Sequence, residues 1–181
     1  MNTIFFDTGS YFIHKKRRGS ASQFRIYNNR RECIGYIMQG KAISEKNKKM
    51  NVFSEVFEIR NANGVLKVSL SRYRFIFCPE IVIKDAEGKK VGSIIQQFSF
   101  FKHSFKILNS SCEVIAIIYR NRKDLCFTIS GVAQNEFGEI KQRGDSIRSW
   151  NKFDVLMDEV YIKVEDKIAI LSSALAINVV L

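Results

Sequence analysis

Apolar and polar residues alternate along most of this chain, and the alternation is organised as a repeat. Each unit is an apolar residue, a spacer, usually Ile and another spacer, then a turn rich in Asn, Asp or Gly, then a second apolar stretch. Copies begin at Phe24 (FRIYNNRRECIGYI), Phe57 (FEIRNANGVLKV), Ile81 (IVIKDAEGKKVGSI), Phe105 (FKILNSSCEVIAII) and Phe127 (FTISGVAQNEFGEI), at separations of 33, 24, 24 and 22 residues. Alternation such as Phe57-Glu58-Ile59-Arg60 sends successive side chains to opposite faces of a strand. Asn63-Gly64 and Glu87-Gly88 supply residues that tolerate positive φ, as tight hairpin turns require. Each copy therefore predicts a β-hairpin, the last with a longer, looser turn around Gly131–Asn135.

Strand-like stretches also lie between the copies, at 71–77 (SRYRFIF) and 98–105 (FSFFKHSF). An early strand near Tyr11–Ile13 and a late one at Tyr161–Val164 bring the expected total to about twelve, mostly antiparallel. Segments 44–51 and 144–152 are the expected exposed loops. A single Pro in 181 residues leaves pairing uninterrupted, and fifteen Phe supply packing mass.

Residues 167–181 (KIAILSSALAINVVL) break the alternation. They carry no turn signal and no charge after Lys167, and Glu165 and Asp166 stand where a helix start favours negative charge. A segment apolar nearly all round is a helix buried on every side or placed in lipid. Its fourteen residues after Lys167 reach roughly 21 Å, short of the ~30 Å bilayer core. More than about eight strands leave a void inside a barrel. A small-residue helix with Ser172, Ser173, Ala174 and Ala176 would fill one, its hydroxyls bonding back to its own backbone. The expected fold is mainly β. Residues 1–181 form a single domain, a closed antiparallel barrel of about twelve strands around a central hydrophobic C-terminal helix.

Composition sets the partner class. The formal charge is +11, and residues 1–60 hold net +7 of it, from 12 basic and 5 acidic residues. Such a field attracts phosphate on lipid headgroups or nucleic acid. The alternative is a basic surface that serves solubility alone. Cys33, Cys78, Cys112 and Cys126 are irregularly spaced and the histidines are His14 and His103, so no zinc site and no disulfide framework is expected. No GxSxG, Walker, Rossmann or HExxH motif occurs, and the expectation is a non-enzymatic protein without a metal or cofactor. With Asn2 and Asp7 ahead of the basic run, the N-terminus does not read as a signal peptide, and the expected location is cytoplasmic.

The hairpin repeats FEIRNANGVLKV and IVIKDAEGKKVGSI, the segment FGEIKQ at 137–142 and the terminal ILSSALAINVVL resemble the tubby-like superfamily. That superfamily includes the tubby C-terminal domain, the phospholipid scramblases and the LURP-one-related proteins. The resemblance runs from about Tyr11 to Leu181 and rests on the order of loose motifs. It implies a closed barrel of about twelve strands around a hydrophobic helix. The chain departs from scramblases in lacking a Pro-rich tail, a cysteine cluster for acylation and a closely spaced acidic calcium segment, having only Asp154, Asp158 and Glu159 nearby. No motif matches tubby's phosphoinositide-binding positions.

Candidate anion-binding residues follow from charge. His14-Lys15-Lys16-Arg17-Arg18 is the densest basic run. Arg72 and Arg74 share a strand face with Leu70, which would turn basic at the sheet rim. Arg120, Arg122 and Lys123 flank a turn. The leading expectation is a peripheral module for anionic phospholipid headgroups without a transmembrane span. The alternative is a structural or protein-interaction module with no lipid ligand, with nucleic-acid binding and lipid scrambling behind it.

Overall fold

A computed structural model describes residues 3–6, 8–16, 23–40, 54–73, 80–98, 103–120, 126–143, 152–158, 162 and 164–180. Twelve strands close into one antiparallel barrel in which every strand pairs with its sequence neighbours and the first pairs with the last. They are β1 (Ser10–Lys16), β2 (Gln23–Tyr27), β3 (Cys33–Gln39), β4 (Ser54–Asn61), β5 (Leu66–Tyr73), β6 (Glu80–Asp85), β7 (Lys90–Phe98), β8 (His103–Asn109), β9 (Val114–Arg120), β10 (Cys126–Ser130), β11 (Glu136–Gln142) and β12 (Lys152–Met157). A helix, α1, spans Val164–Val180, and a short 3-10 turn covers Thr3–Phe6.

The five sequence repeats are five hairpins of one design. In each, the first turn residue (Asn28, Asn61, Asp85, Asn109 or Gly131) accepts a backbone bond from the residue three later and donates to the carbonyl four later, at 2.9–3.1 Å. Four of the five also use the Asn or Asp side chain: Oδ1 of Asn28, Asp85 and Asn109 accepts from two backbone amides further along the turn, and that of Asn61 from one. The residue three later sits in the left-handed region each time: Arg31, Gly64, Gly88, Cys112 and Gln134, with φ between 62° and 84°. This is a type I turn followed by a bulge, a common three-residue hairpin connection. The register shift beside each turn records that bulge. The fifth turn is not longer or looser, as its sequence suggested. Gly131 replaces the Asx residue and Gln134 the glycine, yet both backbone bonds form.

The repeat also builds the interior. Phe24, Phe57, Ile81, Phe105 and Phe127 face Ile37, Leu70, Ile94, Ile118 and Ile140 across their hairpins, and all ten are buried. One layer nearer the turns, Ile26, Ile59, Ile83, Ile107 and Ile129 are each 0 % exposed. Their partners are Gly35, Val68, Gly92, Ala116 and Gly138, so each Ile faces a smaller residue. The seam supplies a sixth unit, with Ile13 opposite Phe153 and Tyr11 opposite Val155.

Helix α1 occupies the space left over. Ala169 through Ala174 are all 0–2 % exposed, and six successive residues at 100° per residue cover the whole circumference of a helix. Such a segment is enclosed on all sides, and it packs on β5, β7, β8, β9 and β12. Twelve strands at about 4.8 Å spacing and about 40° tilt imply a backbone radius of roughly 12 Å, room for a helix and one layer of side chains. The small residues place the fit. A Cβ built on Gly92 would lie 3.1 Å from Cβ of Ala169, and one on Gly35 would lie 2.6 Å from the ring of Phe5. Ser173 donates to the Ala169 carbonyl at 2.6 Å, as expected, whereas the buried Ser172 hydroxyl has no such partner. The side chain of Ala176 lies outside the described residues.

Two boundaries differ from expectation. The last strand is Lys152–Met157, not 161–164, where Ile162 lies in a connection and Val164 opens the helix. Phe153, Val155 and Met157 give this strand its inward face. Asp154 is buried on the other face by Arg143, at an outward position of the same alternation. The helix also begins three residues before Lys167.

Candidate anion-binding wall

The two ends of the barrel are chemically different. One end carries the five tight turns. The other carries the C-terminal ends of β1, β3, β5, β7, β9 and β11. Lys15 and Lys16 end β1, Arg72 is the penultimate residue of β5 and Arg120 ends β9. The described basic positions among those chosen from sequence thus share one end, but they do not share one patch. β1, β5 and β9 are each four strands apart around a ring of twelve, roughly 20 Å for a barrel of this radius. Arg17, Arg18, Arg74, Arg122 and Lys123 lie outside the described residues.

Local geometry separates these residues further. Lys15 follows the inward parity of Tyr11 and Ile13, and its ammonium lies 5.7 Å from the ring centre of Phe24, its cross-strand partner. The side chain of Lys16 lies outside the described residues. Arg72 is half-buried and meets Glu55, directly opposite on β4, at 3.4 Å. Arg120 is exposed.

The outer wall over β2, β1, β12 and β11 is where described cations converge. Reading across the register, Arg25 on β2 is opposite His14 on β1, and His14 is opposite Lys152 on β12. The backbone amide of Arg143, the residue after β11, donates to the Lys152 carbonyl at 2.9 Å and extends the row beyond β12. Direct partners have Cβ atoms about 5 Å apart, so the row is continuous. One row toward the turns, Tyr27, Phe12 and Asp154 are register partners on β2, β1 and β12. Two guanidiniums lie on Phe12: Arg31 at 4.5 Å and Arg143 at 5.5 Å from the ring centre. Arg143 is ion-paired with Asp154. Among the described residues, Arg25, Arg31 and Lys152 have no ion pair, so the wall carries a surplus of three cations around His14.

His14 registers that field. Its ring lies 5.2 Å from Tyr27. Partial burial, then the charges of Lys152 and Arg31, hold its pKa below the usual 6.5, with Asp154 pulling the other way and Arg143 adding to the depression. Cations paired elsewhere do not compete for this role: Lys141 meets Glu139 at 2.6 Å and Arg60 meets Glu58 at 2.7 Å. Arg31 reaches the wall from the left-handed position of the first turn, occupied by glycine in the second and third. None of Arg25, Arg31, Arg143 and Lys152 stands out in the sequence. The usable signal is the outward parity of Arg25 between Phe24 and Ile26, while the neighbourhood of Lys152 depends on barrel closure.

Among the described residues, no three His, Cys, Asp or Glu side chains form a group able to hold a metal ion. Nor is any helix among them long and apolar enough to cross a membrane. Comparison with protein-family models, with curated proteins and with solved structures gives no match.

Proposed function

We propose that this barrel is a non-enzymatic module that binds anionic phospholipid headgroups at its basic outer wall. The observation that carries the reading is the Arg25–His14–Lys152 row, with Arg31 and Arg143 stacked on Phe12 beside it. Guanidiniums present planar forks suited to phosphate oxygens, and stacking on an aromatic ring orients them before a ligand arrives. Each basic residue near an anionic surface contributes about 1 kcal/mol. Three unpaired cations therefore supply about 3 kcal/mol, roughly a hundredfold in partition at low salt. The sequence resemblance to the tubby-like superfamily supports the same ligand class, and the peripheral mode fits a helix enclosed by the barrel.

Co-sedimentation with phosphatidylcholine vesicles, with and without phosphatidylglycerol, tests the proposal. The protein should pellet only with acidic vesicles and be released by salt. Arg25→Glu with Lys152→Glu should abolish binding, and alanines at Lys15–Arg18 should weaken it less. Equal binding to neutral vesicles, or full binding by the double charge reversal, would refute it. An absence of vesicle binding together with one stoichiometric protein partner in a pull-down would favour the interaction-module alternative.

A further inference from the structure

We infer that the wall takes up one proton, at His14, when it binds a phosphodiester headgroup, so that membrane attachment tightens as the pH falls. The inference rests on the lipid-binding reading and adds its regulation. His14 is the centre of the site, with Arg25 and Lys152 as its cross-strand partners on either side. The other groups facing it are Tyr27 from β2, Arg31 from the first turn, Asp154 from β12 and Arg143 just past the end of β11. The only carboxylate in this set, Asp154, is committed to Arg143. An imidazole so placed is surrounded by more positive than negative charge, and near neutrality it is the uncharged member of the row.

A bound phosphate reverses both conditions. Its negative charge offsets the field of Lys152 and Arg31, and its oxygens accept a hydrogen bond from the imidazole N–H. Each change favours the imidazolium. The proton comes from water and ends on the imidazole ring, with no bond made or broken elsewhere. Linkage fixes the sign: if the phosphate raises the affinity of His14 for a proton, the proton raises the affinity for the phosphate by the same factor. One site holds one proton, so affinity can rise by at most about tenfold for each unit by which pH falls. It levels off once the free protein is itself protonated.

The test uses the full chain and vesicles of phosphatidylcholine with phosphatidylglycerol, a phosphodiester whose charge is constant over the range. Between about pH 7.5 and pH 5.5 the partition coefficient should rise by up to about tenfold. His14→Gln should show no such rise, while His14→Lys should bind more tightly than the wild type at pH 7.5 and show no rise either. His103→Gln, on β8 five strands away, should keep the wild-type profile. Short-chain phosphatidylglycerol should raise the pKa of His14 followed by NMR, and glycerol phosphate at equal concentration should raise it less if the membrane surface is the source. A flat wild-type profile, or a rise that survives in His14→Gln, overturns proton coupling and leaves lipid binding standing. Absence of binding at every pH removes both.

Discussion

Three of the five hairpins hold a non-glycine residue where φ is positive, and this sets up an opposed pair of substitutions. At Cys112 φ is 64°, the turn bonds form at 3.0–3.1 Å and the side chain is exposed. An L-residue in the left-handed region costs roughly 1–2 kcal/mol, and glycine returns about 0.5–1 kcal/mol of that through its freer unfolded chain. Cys112→Gly should therefore stabilise the barrel by about 0.5–1 kcal/mol. Gly88 is the mirror case: φ is 84° and a Cβ there would meet nothing within 4 Å. Gly88→Ala thus reports backbone conformation alone and should destabilise by a similar amount. Arg31→Gly should gain little, because it forfeits a stacking contact with Phe12 worth about 0.5–1 kcal/mol. Urea unfolding under reducing conditions measures all three, and a chain of this size should shift its Tm by about 2–4 °C per kcal/mol. A destabilised Cys112→Gly at unchanged m-value, or a neutral Gly88→Ala, would refute the assignment of one turn type to all five repeats.

Two further substitutions probe the plug and the wall. Gly92→Ala would set its Cβ 2.4 Å from the Leu108 carbonyl oxygen and 3.1 Å from Ala169. It should cost about 2–3 kcal/mol, read as a fall of roughly 4–12 °C in Tm, and an unchanged Tm would remove α1 from its place against β7. Asp154→Asn should lower stability by about 1–2 kcal/mol by weakening a mostly buried partner of Arg143. It should also strengthen binding to acidic vesicles severalfold by freeing a cation; loss of both together would contradict the wall reading.

The repeat was legible because one residue set does two tasks at fixed spacing. The Ile two positions before each turn marks the inward face, and the Asx or Gly residues mark the bend. The terminal helix was legible because an apolar run too short for a bilayer needs an enclosure. β12 was missed although Phe153-Asp154-Val155 alternates, and its outward Asp154 is held by an arginine eleven residues earlier, just past the end of β11. Tyr161–Val164 alternates better on paper, but Val164 is spent on the helix start. The basic run at 14–18 was visible as charge, yet a strand divides such a run between two faces. Lys15 goes to the barrel mouth, and His14 takes the wall parity.

The wall differs from the rest of the barrel in how it is assembled. Each of the five hairpins pairs residues close in sequence, so its turn can form locally and early. The Arg25–His14–Lys152 row spans the β1–β12 seam, whose partners are more than a hundred residues apart. Closure of that seam is also what encloses α1, which follows directly on β12. The surplus charge at the wall therefore exists only in a barrel that is shut and plugged. Bringing Arg25, Arg31 and Lys152 together without acidic partners opposes closure by mutual repulsion, and the packed interior at Ile13, Phe153, Tyr11 and Val155 must overcome it. A bound anion relieves that repulsion, so ligand and closure favour each other by the same linkage that couples ligand and proton.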